Sequence, residues 1–439
     1  MAFRIPTSCR RAFRIDVLAG SLISLGLAFL FLSEPVLRKT LEAPAWLVVA
    51  LLSLRMGSMT LSPAWAGASH LRRKVPLVSF GAVAAGVLLA MTAVSAPTLR
   101  HRLPAEWQGV RLLGASADVL VFFVLAVLVF VATSGFNALQ VAVYRENYPV
   151  QCRARIVSRI NIFRIGIMLM AGLGAAYLMD HWPGAYSPLM LLGGASFVAG
   201  GLVYRRMRVA GQDALPSSVN WPELRRRIVP QGIIRLMRQS PHFLRFQVCQ
   251  SLHGCGNLVC QSAFLLVLTD ELGLPYRHIV PITLVVAPLM ALLSTTLWAP
   301  VIDRMSPARA RVFTGPFWVL GMLLFPLSAL VPGGLVLAYL AFMSRGIAQG
   351  GSELLWALGP LHYADKDEPT HYLAVHNFLT GLRGLVAVGV GGVFYLWVGK
   401  WVFVLGGALM VAATVMFYLQ DRAERRDPTF HGEAARAAE

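Results

Sequence analysis

The fold is decided by the stretch Leu335–Pro360, which reads Leu-Val-Leu-Ala-Tyr-Leu-Ala-Phe-Met-Ser-Arg-Gly-Ile-Ala-Gln-Gly-Gly-Ser-Glu-Leu-Leu-Trp-Ala-Leu-Gly-Pro. It is long and apolar enough to cross a bilayer as a helix. Arg345, Gln349 and Glu353 recur every fourth residue, so a helix carries them on one face with Trp356 beside them. A charge at membrane depth costs about 2.5–3.5 kcal/mol even on an insertion scale. We therefore expect this face to meet a watery cavity or, alternatively, to form a structural Arg–Glu pair.

The composition of the whole chain is that of a polytopic membrane protein. Hydrophobic residues make up 56% of the 439 residues and charged residues 14%, whereas a soluble protein carries about a quarter charged residues. The five cysteines have neither a CxxC pair nor Cys/His zinc spacing. We predict no disulfide, no metal and no cofactor.

Apolar runs of membrane-crossing length recur along the chain and predict an all-α fold with twelve spans. The predicted spans are 15–32, 44–66, 76–95, 117–143, 157–179, 187–205, 244–268, 277–300, 311–331, 333–359, 372–397 and 401–419. They divide the chain into an N-terminal six-helix bundle (1–205), a basic linker (206–243), a C-terminal six-helix bundle (244–420) and a tail (421–439).

The basic residues orient these spans. With the N-terminus in the cytoplasm, most of the 39 Lys and Arg residues fall on the cytoplasmic side, as the positive-inside rule requires. This distribution explains the net charge of +18 without nucleic acid. The linker, with its amphipathic piece Ile233–Arg238, is expected to lie on the anionic inner leaflet. We predict a multi-pass protein of the bacterial inner membrane with both termini cytoplasmic, because no signal peptide or organelle signal is evident.

The two halves resemble each other in sequence, which indicates a duplicated unit. Phe13–Val17 opens the first span as Leu244–Val248 opens the seventh, and Trp65 and Trp298 close spans two and eight.

This layout resembles the major facilitator superfamily. The loop after span eight, Ala299-Pro300-Val301-Ile302-Asp303-Arg304, is similar to the family's Gly-x-x-x-Asp-Arg motif, whereas the first-half loop has Arg72 and Arg73 without the aspartate. In the family this loop serves as a gate, so the resemblance implies gating roles for Asp303, Arg304, Arg72 and Arg73.

The resemblance also implies that spans one, four, seven and ten line a central cavity. Three of them carry polar stripes at helical spacing, while span one offers two serines. Interhelical hydrogen bonding is the alternative interpretation of these stripes. The predicted substrate-binding residues are Arg345, Gln349, Trp356, Gln250, His253, Asn257, Gln261, Asn137, Gln140, Arg383 and Arg55.

Arginines inside the spans point to an anionic substrate. Arg55, Arg345 and Arg383 lie deep, Arg164 is close enough to the cytoplasm to snorkel, and Glu353 is counted as the single acidic residue well inside a helix. The surplus positive charge suits a small organic anion. A neutral or zwitterionic solute is the alternative.

We therefore predict a monomeric secondary transporter that works by alternating access, with a small-molecule substrate and membrane lipids as partners. A proton is the candidate coupling ion, carried by Glu353 or His253, which would make the protein a symporter. The competing interpretations are drug efflux, a membrane-embedded acyltransferase and a transporter-like sensor. No nucleophilic triad, HExxH or phosphate-binding loop is found, so we predict no enzymatic activity.

Overall fold

A computed structural model of the chain describes residues 6–69, 71–102, 111–112, 114–209, 215–222, 231–302, 304–364 and 369–426. Within these ranges the protein is helical apart from one short hairpin, Arg111–Leu112 (β1) and Ala115–Ser116 (β2), which pairs antiparallel with Arg111 opposite Ser116. The hairpin lies in the loop between the third and fourth predicted spans. The prediction of an all-α polytopic membrane protein is confirmed.

The chain forms two compact units. The N-terminal unit comprises residues 1–228 together with 275–280, and the C-terminal unit comprises 229–274 together with 281–439. The helices of the N-terminal half are Arg10–Leu30 (α1), Ala45–Gly57 (α2), Ser62–Ala68 (α3), Lys74–Arg102 (α4), Ala117–Thr133 (α5), Phe136–Asn147 (α6), Val150–His181 (α7) and Tyr186–Tyr204 (α8).

The helices that follow are Gln231–Gln239 (α9), Pro241–Leu258 (α10), Gln261–Leu266 (α11), Tyr276–Val280 (α12), Ala287–Ile302 (α13), Pro307–Ser328 (α14), Leu335–His362 (α15), Pro369–Val398 (α16) and Val402–Arg426 (α17). Short helical segments at the ends of these helices are Thr7–Cys9, Ser33–Pro35, Val36–Thr40, Ser58–Leu61, Pro183–Ala185, Val267–Glu271, Pro281–Val286 and Gly399–Trp401. Gly333, with φ +74°, makes the tight turn between α14 and α15.

Each of the twelve predicted spans coincides with one of these helices or with a run of consecutive helices. Among the described residues, eight helical stretches have the length and apolar composition needed to cross a membrane. One of these stretches, Val375–Arg426, contains most of α16 and all of α17. Ala45–Leu61 and Ala117–Thr133 are apolar but shorter.

Inside each unit the helices pair in the same way. In the N-terminal unit α4 packs on α8 and α5, and α1 packs on α8 and α7. In the C-terminal unit α14 packs on α17 and α15, and α10 packs on α17 and α16. Two local features repeat as well, since spans one and seven both end in a five-residue π-helical segment, Val36–Thr40 and Val267–Glu271.

The two tryptophans that suggested a duplication make equivalent hydrogen bonds. Trp65 Nε1 donates to Ser134 Oγ at 2.9 Å in the N-terminal unit. Trp298 Nε1 donates to the carbonyl of Ile347 at 2.7 Å in the C-terminal unit. In both cases the indole joins the second span of the half to the fourth. The repeat therefore extends to individual side-chain contacts.

Glycines allow close helix contacts in both units. A Cβ at Gly86 would lie 2.5 Å from the carbonyl oxygen of Gly194, so α4 and α8 can approach only without side chains there. Gly256 and Gly406 allow the same approach of α10 and α17, with a Cβ at Gly256 2.8 Å from the Gly406 carbonyl. Contacts between small residues are typical of helix packing in membranes.

The amphipathic piece of the linker is helical, as α9. Its Leu236 is buried in the C-terminal unit against Phe243 and Tyr372, while Ile234 is exposed. The linker segments 210–214 and 223–230 lie outside the described residues, as does the tail from 427 onward.

Candidate functional site

Four basic side chains come together inside the C-terminal unit, and we call them the arginine–histidine cluster: Arg311 on α14, Arg383 and His376 on α16, and His253 on α10. Arg383 Nη1 donates to the backbone carbonyl of Gln250 at 2.7 Å, and Nη2 donates to Thr380 Oγ1 at 2.8 Å. The Arg383 residue is 8% exposed. Its guanidinium is therefore held by neutral acceptors.

Arg311 contributes the second guanidinium. Its Nη1 donates to Ser352 Oγ at 2.7 Å, and Trp318 Nε1 donates to the same oxygen at 3.0 Å. Arg311 is 2% exposed and repels Arg383 electrostatically. Two like charges thus share one buried region, and neutral serine and carbonyl groups hold both.

The two histidines lie against aromatic rings and beside the arginines. His376 Nδ1 is 3.1–3.2 Å from the side-chain amide of Gln247, and the imidazole packs against Trp356 with ring centroids 5.7 Å apart. His253 meets Trp318 edge to face at 5.9 Å. The positive charges of Arg311 and Arg383 act on both imidazoles.

The cluster lacks negative charge and leaves polar atoms unused. Within the part of the chain that the structure describes, neither Arg311 nor Arg383 forms an ion pair. Among the same residues, several buried atoms of the region have no hydrogen-bond partner: Arg311 Nε, Arg383 Nε, His376 Nε2 and Gln250 Oε1. A buried cation without a counterion is unfavourable, so this region can accept an anion.

The N-terminal unit contains a second buried charge cluster, built around Asp16 on α1. Tyr148 donates its hydroxyl to Asp16 Oδ2, and Arg164 attracts the Asp16 carboxylate electrostatically. Arg164 Nη1 also donates to Gln140 Oε1 at 3.2 Å, and its Nε donates to Ser24 Oγ at 3.4 Å. Here a carboxylate lies within electrostatic reach of the arginine.

No known family model and no curated protein matches the sequence, but solved structures match the fold. A bacterial homologue of the iron transporter ferroportin superposes with a TM-score of 0.66 at 14% identity, covering 94% of this chain and 99% of that one. The inward-open xylose transporter XylE from E. coli gives 0.63 at 12%, covering 93% and 95%. A bacterial homologue of the human lysosomal transporter Spinster gives 0.62 at 10%, covering 95% and 98%.

The chain shares the fold of these transporters, which is the fold that the resemblance to the major facilitator superfamily implies. At such identities the likeness extends to the fold alone, and the chemistry of this chain has to be argued from its own residues.

Span ten carries Arg345, Gln349 and Glu353 on α15. Arg345 lies apart from the arginine–histidine cluster. Its guanidinium packs on three rings, with the carbon 4.0 Å from the centroid of Phe264 and 5.3 Å from those of Trp318 and Phe342. Trp318 is the link, because it contacts both Arg345 and His253. Cation–π contact takes the place of a counterion for this arginine.

The other residues of that stripe are closer to the surface of the C-terminal unit. Gln349 Nε2 donates to Glu353 Oε1 at 2.8 Å, and the Glu353 residue is exposed. The predicted alternative of an Arg345–Glu353 pair does not occur. Trp356 joins the arginine–histidine cluster through His376.

The remaining predicted binding residues are spread over both units. Gln250 and His253 belong to the cluster region, and Asn257 and Gln261 follow on α10 and α11. Gln140 is bound to Arg164 in the N-terminal unit. Asn137 is on α6, and the surroundings of its side chain are outside the described part.

Of the predicted gating residues, Asp303 lies outside the described residues. Arg304 lines a cavity of about 270 Å³ with Ser306, Asp421 and Arg425. Arg73 Nε donates to the carbonyl of Leu215 in the linker at 2.8 Å. Arg72 Nη1 donates to the neighbouring Leu71 carbonyl at 3.4 Å.

The C-terminal cavity adjoins a buried tyrosine. Tyr363 donates to Glu424 Oε1 at 2.8 Å. Burial, together with the negative charge of Glu424, raises the pKa of Tyr363 well above its ordinary value, so this hydroxyl stays protonated at physiological pH.

Two premises drawn from the sequence are wrong. Glu353 is not the single acidic residue inside a helix, because Asp16 is 2% exposed within α1 and Glu34 is buried and pairs with Arg55. Arg55 therefore adds no surplus positive charge. Arg164 does not snorkel, since it turns into the N-terminal unit towards Gln140 and Ser24.

Arg311 is not among the predicted binding residues, because it stands at the first position of the predicted span 311–331. In the structure it is the fifth residue of α14, one turn inside the helix. Asp16 was visible in the repeat, where it stands opposite Gln247. The partners of Asp16 depend on the packing of α1 and α7, and those of Arg311 depend on the packing of α14 and α15.

Proposed function

We propose that this chain is a secondary transporter that moves a small organic anion across a membrane by alternating access. The fold supports the transport class. The observation that carries the choice of substrate is the charge imbalance of the C-terminal unit, where Arg311, Arg345 and Arg383 are each less than a tenth exposed and have no carboxylate partner among the described residues.

An anionic solute would remove that imbalance. Guanidinium groups bind carboxylates and phosphates through paired N–H donors, and they do so most strongly where water is excluded. Arg383 and His253 are the predicted binding residues closest to the imbalance, and Arg345, Gln349, Trp356, Asn257 and Gln261 of the same unit complete the proposed set. Arg311 is added to the set because it is buried within electrostatic reach of Arg383.

Proton coupling is the second part of the proposal, and the two candidate carriers differ in their surroundings. Glu353 is exposed and hydrogen-bonded to Gln349, so its carboxyl is the more accessible of the two groups. His253 is 5% exposed and lies beside two arginines. We propose Glu353 as the carrier of a symporter in the bacterial inner membrane, working as a monomer with cytoplasmic termini.

A zwitterionic solute is the alternative that a specific observation favours. Gln250 Oε1 and Asn257 Oδ1, both on α10, are buried acceptors without a partner among the described residues. A solute that carries an N–H or O–H donor beside its anionic group would satisfy them.

The test is uptake into proteoliposomes of labelled anionic, zwitterionic, neutral and cationic metabolites, with and without an imposed pH gradient. We expect saturable anion uptake that rises with external acidification and falls at least tenfold in Arg383→Ala. Arg309→Ala, which removes an exposed arginine of the same unit, is the matched control and should transport normally. Uptake confined to neutral or cationic solutes, or full anion uptake by Arg383→Ala, would overturn the proposal.

A further inference from the structure

In each unit an arginine of the fifth span (α7 or α16) lies over a glycine of the first span (α1 or α10). In the N-terminal unit a Cβ at Gly20 would lie 3.0 Å from Arg164 Cδ. In the C-terminal unit a Cβ at Gly254 would lie 2.7 Å from Arg383 Nε and 2.9 Å from its Cζ. The missing side chains leave room for a guanidinium in each repeat, so the two sites are structural counterparts.

The two counterparts differ in charge. In the N-terminal unit the carboxylate of Asp16 lies within electrostatic reach of Arg164. The sequence around Asp16, Phe13–Val17, corresponds to Leu244–Val248, and this aligns Asp16 with Gln247. Gln247 is 1% exposed and contacts His376, which lies within electrostatic reach of Arg383. The C-terminal site thus has an amide where the N-terminal site has an acid.

Arg311 increases the contrast. It brings a second guanidinium to the C-terminal site, and Arg383 repels it. The Nε atoms of both arginines and Nε2 of His376 have no acceptor among the described residues. Each of these groups is more than nine-tenths buried. The site therefore has several free hydrogen-bond donors but lacks an anionic acceptor for them.

We propose that the arginine–histidine cluster is the binding site for the carboxylate group of a small organic acid, which takes the place that Asp16 holds in the N-terminal unit. The inference rests on the proposed function and adds the chemical class of the solute. The carboxylate would accept hydrogen bonds from the Nε–H groups of Arg311 and Arg383, which have no acceptor among the described residues. Paired hydrogen bonds between a guanidinium and a carboxylate are among the strong ones in proteins.

The decisive variant moves the carboxylate of one unit into the other. Gln247→Glu supplies the C-terminal site with an internal acid, which should compete with the solute. The experiment measures the thermal stabilisation of the detergent-purified full chain by acetate, lactate, succinate and citrate, with inorganic phosphate and glycerol as comparison compounds. Stabilisation follows binding to the folded state by mass action.

We expect at least one carboxylate to stabilise the wild-type protein and to lose at least tenfold in affinity in Gln247→Glu, while the unliganded melting temperature does not fall. Arg383→Gln removes the guanidinium that should bind the carboxylate. It should show the same loss of affinity, and it serves as the second test if Gln247→Glu fails to fold. Asp16→Asn makes the opposite charge change in the N-terminal unit and should keep the affinity within twofold.

Three results would overturn the inference: no carboxylate stabilises the wild-type protein, phosphate alone stabilises it, or both cluster variants bind carboxylates normally. The last of these, combined with anion uptake by proteoliposomes, would keep the proposed function and move the site elsewhere. Conversely, carboxylate binding that Gln247→Glu abolishes, in a protein without anion uptake, would keep the site and reject the transport assignment.

Discussion

The N-terminal and C-terminal units share their helix pairing, their π-helical span ends and their tryptophan hydrogen bonds, yet they treat buried charge in opposite ways. In the N-terminal unit Arg55 pairs with Glu34 and Arg164 is attracted by Asp16. In the C-terminal unit Arg311, Arg345 and Arg383 are held by serine, rings and backbone carbonyls. Packing geometry and charge balance are therefore separable properties of one duplicated unit. The unit that is short of carboxylates is the one expected to respond to an anion.

The largest effect should come from breaking an internal ion pair of the N-terminal unit. Arg55→Met leaves Glu34, which is 8% exposed, without its cation. Removing one partner of a buried pair costs about 3–5 kcal/mol, so we expect the free energy of unfolding in detergent to fall by that amount. The double variant Arg55→Met/Glu34→Leu should recover most of the loss. Equal stability of the single variant and wild type would show that the pair is not buried.

The glycines under the two arginines give a matched pair of smaller effects. Gly254→Ala places a methyl against the Arg383 guanidinium itself, and overpacking of this kind costs about 1–3 kcal/mol. A methyl at Gly20 would lie 3.0 Å from Arg164 Cδ and 3.3 Å from its Cγ, which is a longer contact. Gly20→Ala should therefore lower the free energy of unfolding by less. Thermal denaturation of both variants ranks them. A larger loss at Gly20 would reject the equivalence of the two sites.

The repeated tryptophans should respond alike. Trp65→Phe removes the N–H donor to Ser134, and Trp298→Phe removes the donor to Ile347. A hydrogen bond contributes about 1 kcal/mol net. We expect losses of unfolding free energy that agree within a factor of two. Chemical denaturation of the two variants measures this, and a strong asymmetry would limit the repeat to the backbone.

The smallest effect is expected at Arg345. Arg345→Met loses cation–π contacts, each worth about 0.5–2 kcal/mol, but it also removes a buried charge that has no counterion, and the two terms oppose each other. The stability change should stay within about 1 kcal/mol, in contrast to Arg55→Met. A loss as large as that of Arg55→Met would mean that Arg345 has an anionic partner and would blur the difference between the units.

Much of the architecture could be predicted because it depends on local pattern. Apolar runs bounded by charge, proline and glycine predicted a helix or a run of helices at each of the twelve positions. Trp65 and Trp298 predicted a repeat in which both indoles make a hydrogen bond to the fourth span of their half. These signals are one-dimensional, since a helix that crosses a membrane must be apolar along its own length.

The partners of the charged residues could not be predicted in the same way. Helical spacing places Arg345, Gln349 and Glu353 on one face, but the guanidinium packs on Phe264 of another helix while Gln349 binds Glu353. The pairing of Arg55 with Glu34 likewise requires two helices whose contact no spacing rule supplies. Sequence therefore identified several charged residues of the site, and tertiary packing decided which of them are neutralised.

The short helix α12 has a consequence for how the protein is made. Its backbone N–H groups at Tyr276 and Arg277 donate to the carboxylate of Asp180 at 2.7 and 2.8 Å, and the Tyr276 hydroxyl is 2.7 Å from Thr40 Oγ1. The N-terminal unit thus takes residues 275–280 from a part of the chain translated well after Ile228. Chains emerge from the ribosome N-terminus first. Asp180 and Thr40 are therefore synthesised before Tyr276 and Arg277, with which they form these contacts. A chain that stops at the linker should be unable to complete the N-terminal unit.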